Sequence, residues 1–162
     1  MRHIFVSLSL VVFLLMPMLT APAHAQDNPQ QAAHQQTEDF WFGHPGNASE
    51  VTRTVLITAE KSRFLPGKVN IRTGETVQFE IVNQDKVAHE FVIGDVAEQT
   101  AHEKEMAVMP SMPISDVNSV SVPAGQQTTL IWTFTRPGEL EYACHLPGHY
   151  LQGMVGWLIV HD

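Results

Sequence analysis

The sequence predicts an all-β fold, a Greek-key sandwich with one short helical insert, and three observations carry that prediction. From Val51 onward apolar and polar residues alternate in short runs, the period of a strand with one buried face. Turn residues recur between the runs, at Pro66-Gly67, Thr73-Gly74, Ala124-Gly125 and Pro137-Gly138. A single stretch, Asp95 to Asp116, is rich instead in Ala, Glu, Gln, Lys and Met, which favour helix.

Taken in order, VTRTVLIT begins at Val51, KVNI follows the Pro66-Gly67 turn, and TVQFEIVN sets Val77, Phe79 and Ile81 against Gln78 and Glu80. AHEFVIG, SVSV, TTLIWTFT, ELEYAC and MVGWLIV continue the pattern. About seven or eight such strands make a sandwich with Greek-key connections. The expected core comprises Val77, Phe79, Ile81, Ile131, Trp132, Phe134, Trp157 and Ile159. Phe40, Trp41 and Phe42 are expected to pack on the domain edge ahead of a Gly-Pro-Gly turn region. The helical insert is expected around residues 97–109, with Thr100 and Glu103 at capping-box spacing and Pro110 ending it. His102, Met106 and Met109 then fall on one helical face, either as packing or as donors for copper(I), with Met112 beyond the proline.

The first residues read as an export signal. A short charged start precedes the apolar run IFVSLSLVVFLLM, too short for a bilayer span, and APAHA supplies a small-residue cleavage pattern at Ala23 and Ala25. Residues 1–25 are therefore expected to be a cleaved leader, 26–39 a Gln-rich linker and 40–162 the folded domain. Losing 25 of 162 residues leaves 137, and removes Arg2, taking the formal net charge from −8 to −9. That surface argues against nucleic acid or anionic lipid and suits a cationic protein partner. The expected location is the periplasm, with no membrane association after cleavage.

An exported chain with one cysteine raises the question of what occupies the thiol, because oxidising compartments favour disulfides. Cys144 lies in YACHLPGHYLQGM, followed by His149 and Met154 with four residues between each pair. Pro147 and Gly148 fit the sharp reversals that would let three side chains converge. His89, at the start of a strand, is the best candidate for a fourth ligand. Thiolate and thioether suit copper(I), imidazole suits both copper oxidation states, and His2Cys with a weak axial Met describes a type 1 copper site. Zinc prefers four strong ligands, so Met154 argues against it. A thiol protease would need an accessible, activated Cys with an oriented base, and nothing near Cys144 suggests an oxyanion hole.

The C-x4-H-x4-M ending, His89 and the strand pattern resemble the cupredoxins, with loop spacing similar to that of rusticyanin. FWFGHPG, HEFVIG and the Met-bearing insert look closest to periplasmic cupredoxins of the bacterial copper-tolerance type. The resemblance implies one type 1 copper per chain, with His89, Cys144 and His149 equatorial and Met154 axial. Two positions depart from the pattern. Many cupredoxins place Asn directly after the first His ligand, where this chain has Glu90. His145 follows the cysteine, but Ala143 stands where multicopper oxidases carry a second flanking His, so His145 is read as a strand residue facing away from the metal.

The expected function is non-enzymatic. It is electron transfer or copper homeostasis, copper cycling between Cu(I) and Cu(II), in a monomer that meets a transient redox or copper-exchanging protein. Sequestration or hand-over without a redox partner is the alternative, and a subunit of a copper oxidoreductase the more distant one.

Overall fold

The computed structural model describes residues 40–108 and 116–162. The expected leader and linker, and Met109, Pro110 and Met112, lie outside the described residues. In chain order the elements are β1 (Gly43–Pro45), a 3-10 turn (Ala48–Glu50), β2 (Arg53–Ala59), β3 (Phe64–Leu65), β4 (Lys68–Arg72), β5 (Thr76–Asn83) and β6 (His89–Gly94). They continue with α1 (Val96–Val108), β7 (Ser119–Val122), β8 (Gln127–Phe134), β9 (Gly138–Ala143) and β10 (Val155–His161).

The strands form two five-stranded sheets, ordered β1-β8-β5-β2-β3 and β4-β10-β9-β6-β7. Most neighbours are antiparallel, while β2 with β5 and β4 with β10 are parallel. Strand β5 shows why the layers stack: Val77, Phe79 and Ile81 are fully buried, while Gln78 and Glu80 between them are partly exposed. Facing them from the other sheet are Phe91 and Tyr142, with the Phe79 and Phe91 rings 5.6 Å apart and Phe91 and Tyr142 5.3 Å apart.

Three expected core residues lie elsewhere. Trp157 is 41% exposed, and Ile131 and Ile159 are only partly buried. In β10 the inward residues are Gly156, Leu158 and Val160. The reason is steric: a Cβ at position 156 would lie 2.1 Å from Tyr142 Cζ, so Gly156 admits the tyrosine ring and Trp157 must point outward. In β8 the same alternation puts Leu130, Trp132 and Phe134 inside and Ile131 outside.

Two short strands escaped the sequence pattern. Gly43 of β1 pairs with Phe134, which buries Phe42 completely and packs Phe40 against the core, while Trp41 stays 39% exposed. The two-residue β3 pairs with the end of β2.

The helix starts earlier than expected and with a different cap. Asp95 Oδ1 accepts from the backbone N–H groups of Ala97 and Glu98 at 2.8 and 3.0 Å, and Glu98 Oε2 accepts from Asp95 N–H at 2.9 Å. That reciprocal pair is the capping box, one turn ahead of Thr100 and Glu103. Thr100 instead lies inside the helix, its hydroxyl donating to Val96 O at 2.6 Å.

Polar contacts fasten α1 to the second sheet. Buried Gln99 Nε2 donates to Val92 O and Glu141 O, at 3.1 and 3.2 Å. Among the described residues, no helix is long and apolar enough to cross a membrane.

Candidate metal centre

The chain brings three donors together at one end of the sandwich. His89 opens β6, Cys144 follows the last residue of β9, and His149 lies in the loop that leads into β10. Backbone bonds shape that loop: His149 N–H to Leu146 O (2.9 Å), Gln152 to Gly148 (3.1 Å), Gly153 to Tyr150 (2.9 Å) and Met154 to His149 (3.0 Å). Its root is closed by Cys144 N–H donating to Met154 O at 3.2 Å. Gly148 and Gly153 take φ values of 85° and 84°, which a side chain would disfavour. The reversals expected of Pro147-Gly148 are thus present, with a second one at Gly153.

Cys144 Sγ lies 3.3 Å from His149 Nδ1 and 3.9 Å from His89 Nδ1, and the two Nδ1 atoms are 3.3 Å apart. Cys144 is fully buried, His89 nearly so, and His149 half-buried, so the cluster meets solvent through His149. Met154 is also fully buried, in the same apolar cluster as Cys144. Of the four expected site residues the structure therefore converges three polar donors and sets Met154 at the loop's root.

His89 is oriented from behind. Its Nε2 lies 2.9 Å from Asp85 Oδ2, and a carboxylate can only accept, so Nε2 carries a proton and Nδ1 is the nitrogen turned toward Cys144 and His149. Asp85 is itself held by the backbone N–H groups of Lys61 and Ser62, at 2.8 and 2.9 Å. Burial opposes the Asp85 charge, but those amides and His89 hold its pKa below the usual carboxylate value.

Burial pushes the Cys144 thiol up to about 11, although N–H groups of Glu90 and Leu146 partly offset it. Burial, with His89 close by, also lowers the pKa of His149, which favours a neutral imidazole. The cluster therefore sets one thiol and two imidazole nitrogens facing one another, an arrangement that a soft cation with nitrogen and sulfur ligands satisfies.

Sequence reasoning missed Asp85, although its i, i+4 spacing to His89 was available. It noted Glu90 without placing it. The Glu90 N–H donates to Cys144 Sγ at 3.3 Å, while its side chain turns away to His102. Buried Asn83 ties the segment before His89 to the end of β7, its Nδ2 donating to Val87 O, Val122 O and Pro123 O, at 2.8, 2.9 and 3.1 Å. His145 leaves the strand away from Cys144: its Nδ1 is 2.7 Å from Glu103 Oε2 and its Nε2 2.6 Å from Gln99 Oε1, both on α1.

A family described as Cupredoxin-like domain matches residues 9–160. The chain belongs to the cupredoxin-like family. Curated relatives include the copper-resistant cuproprotein CopI of Rubrivivax gelatinosus, 39% identical over 138 residues that cover 85% of this chain and 84% of that protein. The protein of the same name from Pseudomonas aeruginosa is 35% identical over 167 residues, covering 85% of this chain and 88% of that one. Among solved structures, auracyanin B superimposes with a TM-score of 0.61 at 24% identity, covering 75% of this chain and 97% of that one, a likeness of fold. The cupredoxin resemblance and the two-sheet sandwich read from the sequence both hold.

Proposed function

We propose that this cupredoxin would hold one type 1 copper through His89 Nδ1, Cys144 Sγ and His149 Nδ1, with Met154 as a weaker fourth donor. The observation that carries the reading is the convergence of one thiol and two imidazole nitrogens, all within 4.8 Å of one another and with no carboxylate among them. Bound copper would supply one-electron chemistry between Cu(I) and Cu(II). The chain's own residues supply the rest. Asp85 fixes the His89 ring, the Glu90 amide hydrogen-bonds the sulfur, and the closed loop holds His149 in one place, so little has to move when the charge changes.

With copper bound, His149 would offer the route to the surface, being the one half-buried residue of the three. In the same loop are half-buried Leu146 and Tyr150 and exposed Pro147 and Leu151, the last 82% exposed. Such an edge suits a small, transient contact with a redox or copper-exchanging protein. We read the protein as a monomer without catalytic activity, exported to the periplasm.

The relatives' name, copper-resistant cuproprotein, favours a role in copper tolerance. A copper-sensitive bacterial strain expressing the chain tests this. Wild type should raise survival in added copper and Cys144→Ser should not; equal protection by both would remove the site from the explanation. The amount tolerated separates the two modes. Protection limited to one copper per protein molecule indicates sequestration, and protection far beyond that ratio indicates that copper or electrons are passed on to a partner.

A further inference from the structure

A second cluster of metal-ligating groups lies between α1 and the second sheet. Glu90 sends its carboxylate to His102, with Oε1 and Oε2 at 3.1 and 3.2 Å from Nε2. Since the carboxylate accepts, Nε2 carries the proton. The other nitrogen, Nδ1, then faces Asp116 Oδ2 at 3.3 Å. Ligand atoms of His102, Glu105 and Asp116 all lie within 4.8 Å of one another.

A neutral imidazole in this orientation points a lone pair at a carboxylate oxygen, a contact that needs positive charge between the two. A proton is one way to supply it: burial works against a charged His102, but Asp116 and Glu90 push its pKa up to about 9. A metal ion is the other. A ring N–H given to a carboxylate while the second nitrogen is left to ligate is the arrangement found behind metal-bound histidines.

An independent observation points to the same place. A cavity of about 190 Å³ is lined by Phe40, Glu98, His102, Glu105, Asp116 and Asn118. Asn118 is 5% exposed, and its Nδ2 donates to Ile93 O at 2.6 Å. Its buried Oδ1 has no hydrogen-bond partner among the described residues. A buried amide oxygen left without a partner costs stability, and the residue that carries it lines a cavity together with an imidazole and three carboxylates.

We propose that His102 Nδ1, Glu105 and Asp116, beside Asn118 on the same cavity, form a second metal site for a divalent first-row transition cation, Zn(II) or Cu(II). One imidazole with carboxylate oxygens suits such ions and disfavours Cu(I), so this site takes divalent ions alone whereas the first takes copper in both oxidation states. This is not the copper(I) face anticipated from the helix pattern. Both His102 nitrogens face carboxylates, and Met106 lines a separate hollow with His145 and Pro147.

The test is a Zn(II) titration of protein already loaded with one copper, followed by calorimetry and native mass spectrometry. Wild type should take one zinc per chain without change in its visible spectrum. Glu105→Gln and Asp116→Asn should each weaken zinc at least tenfold, leaving the copper spectrum and the far-ultraviolet circular dichroism unchanged. Both side chains reach solvent, so these variants keep the fold; His102→Gln should abolish zinc binding, and if it fails to fold the other two decide. Absence of zinc binding would overturn the proposal and leave His102 as an imidazolium between two carboxylates. Undiminished binding by the variants would overturn it equally. The same titration on Cys144→Ser should show the same zinc, which separates this site from the copper reading.

Discussion

Asp85→Ala is the substitution that links the fold to the metal centre most directly. The carboxylate takes three hydrogen bonds, from Lys61 N, Ser62 N and His89 Nε2 at 2.8, 2.9 and 2.9 Å, and its side chain is 18% exposed. Hydrogen bonds to a charged group contribute about 1.5–3 kcal/mol each, and partial exposure puts these at the low end. Lys61 and Ser62 sit at φ 54° and 52°, in the left-handed region, so the carboxylate also holds two residues in a conformation that costs them energy. Allowing for water replacing part of what is lost, we expect the metal-free variant to lose about 2–4 kcal/mol of folding stability. Freed of its partner, the His89 ring can turn or change tautomer, and copper affinity should fall by about 10–100-fold. Urea denaturation of the metal-free proteins and competition against a copper chelator read the two effects separately. Asp85→Asn, which keeps the shape without the charge, should fall between wild type and Asp85→Ala in both. A loss of stability with undiminished copper affinity would show that Asp85 only anchors the turn and that His89 needs no orienting partner. If neither quantity moved, the reasoning from these three bonds would be wrong.

Other perturbations follow from single contacts. Gly156→Ala puts a methyl group 2.1 Å from Tyr142 Cζ and 2.4 Å from its Oη, inside a fully buried ring, and should cost about 3 kcal/mol in a denaturation experiment. Burial opposes the Asp95 charge, but the Glu98 amide, the Trp41 indole and the Ala97 amide hold its pKa below the usual value. The cap is therefore worth about 1 kcal/mol at neutral pH and is lost as pH falls below about 4, so the stabilities of wild type and Asp95→Ala should converge in acid. Met154→Leu should keep copper and its bond to sulfur but raise the reduction potential, because a weak donor is lost; an unchanged potential and spectrum would count against an axial Met154. The metal-free protein should give the circular dichroism of a folded β protein, since the core from Val77 to Leu158 forms without metal, and a spectrum of disordered chain would contradict this.

The convergence of His89, Cys144 and His149 was legible because its signal is local. One cysteine, a histidine and a methionine at regular spacing beside Pro147-Gly148 announce a loop that folds onto one point, and His89 needed only a place at a strand start. Strand β5 was equally plain, since Val77, Phe79 and Ile81 alternate with polar residues. In β10 the sequence VGWLIVH is apolar on both faces, so alternation alone cannot say which parity points inward. The parity is set by a long-range fit, Gly156 under the Tyr142 ring, that no local pattern contains. The capping box at Asp95 and Glu98 has the same spacing as Thr100 and Glu103, and only the end of β6 at Gly94 chooses between them. Asn83 and the turn of Glu90 towards His102 were illegible for a similar reason, since each depends on residues brought from another strand or from the helix, whereas Asp85 left one local signal, its i, i+4 spacing to His89.

The central claim is that Cys144 sulfur and two imidazoles bind one copper. Purified protein loaded with Cu(II) should be measured for metal content and for its visible and electron paramagnetic resonance spectra, beside Cys144→Ser. We expect one copper per chain at this site, an intense sulfur-to-copper band in the wild type, and its complete loss in Cys144→Ser. A wild type without that band, or a variant that keeps it, would contradict the account.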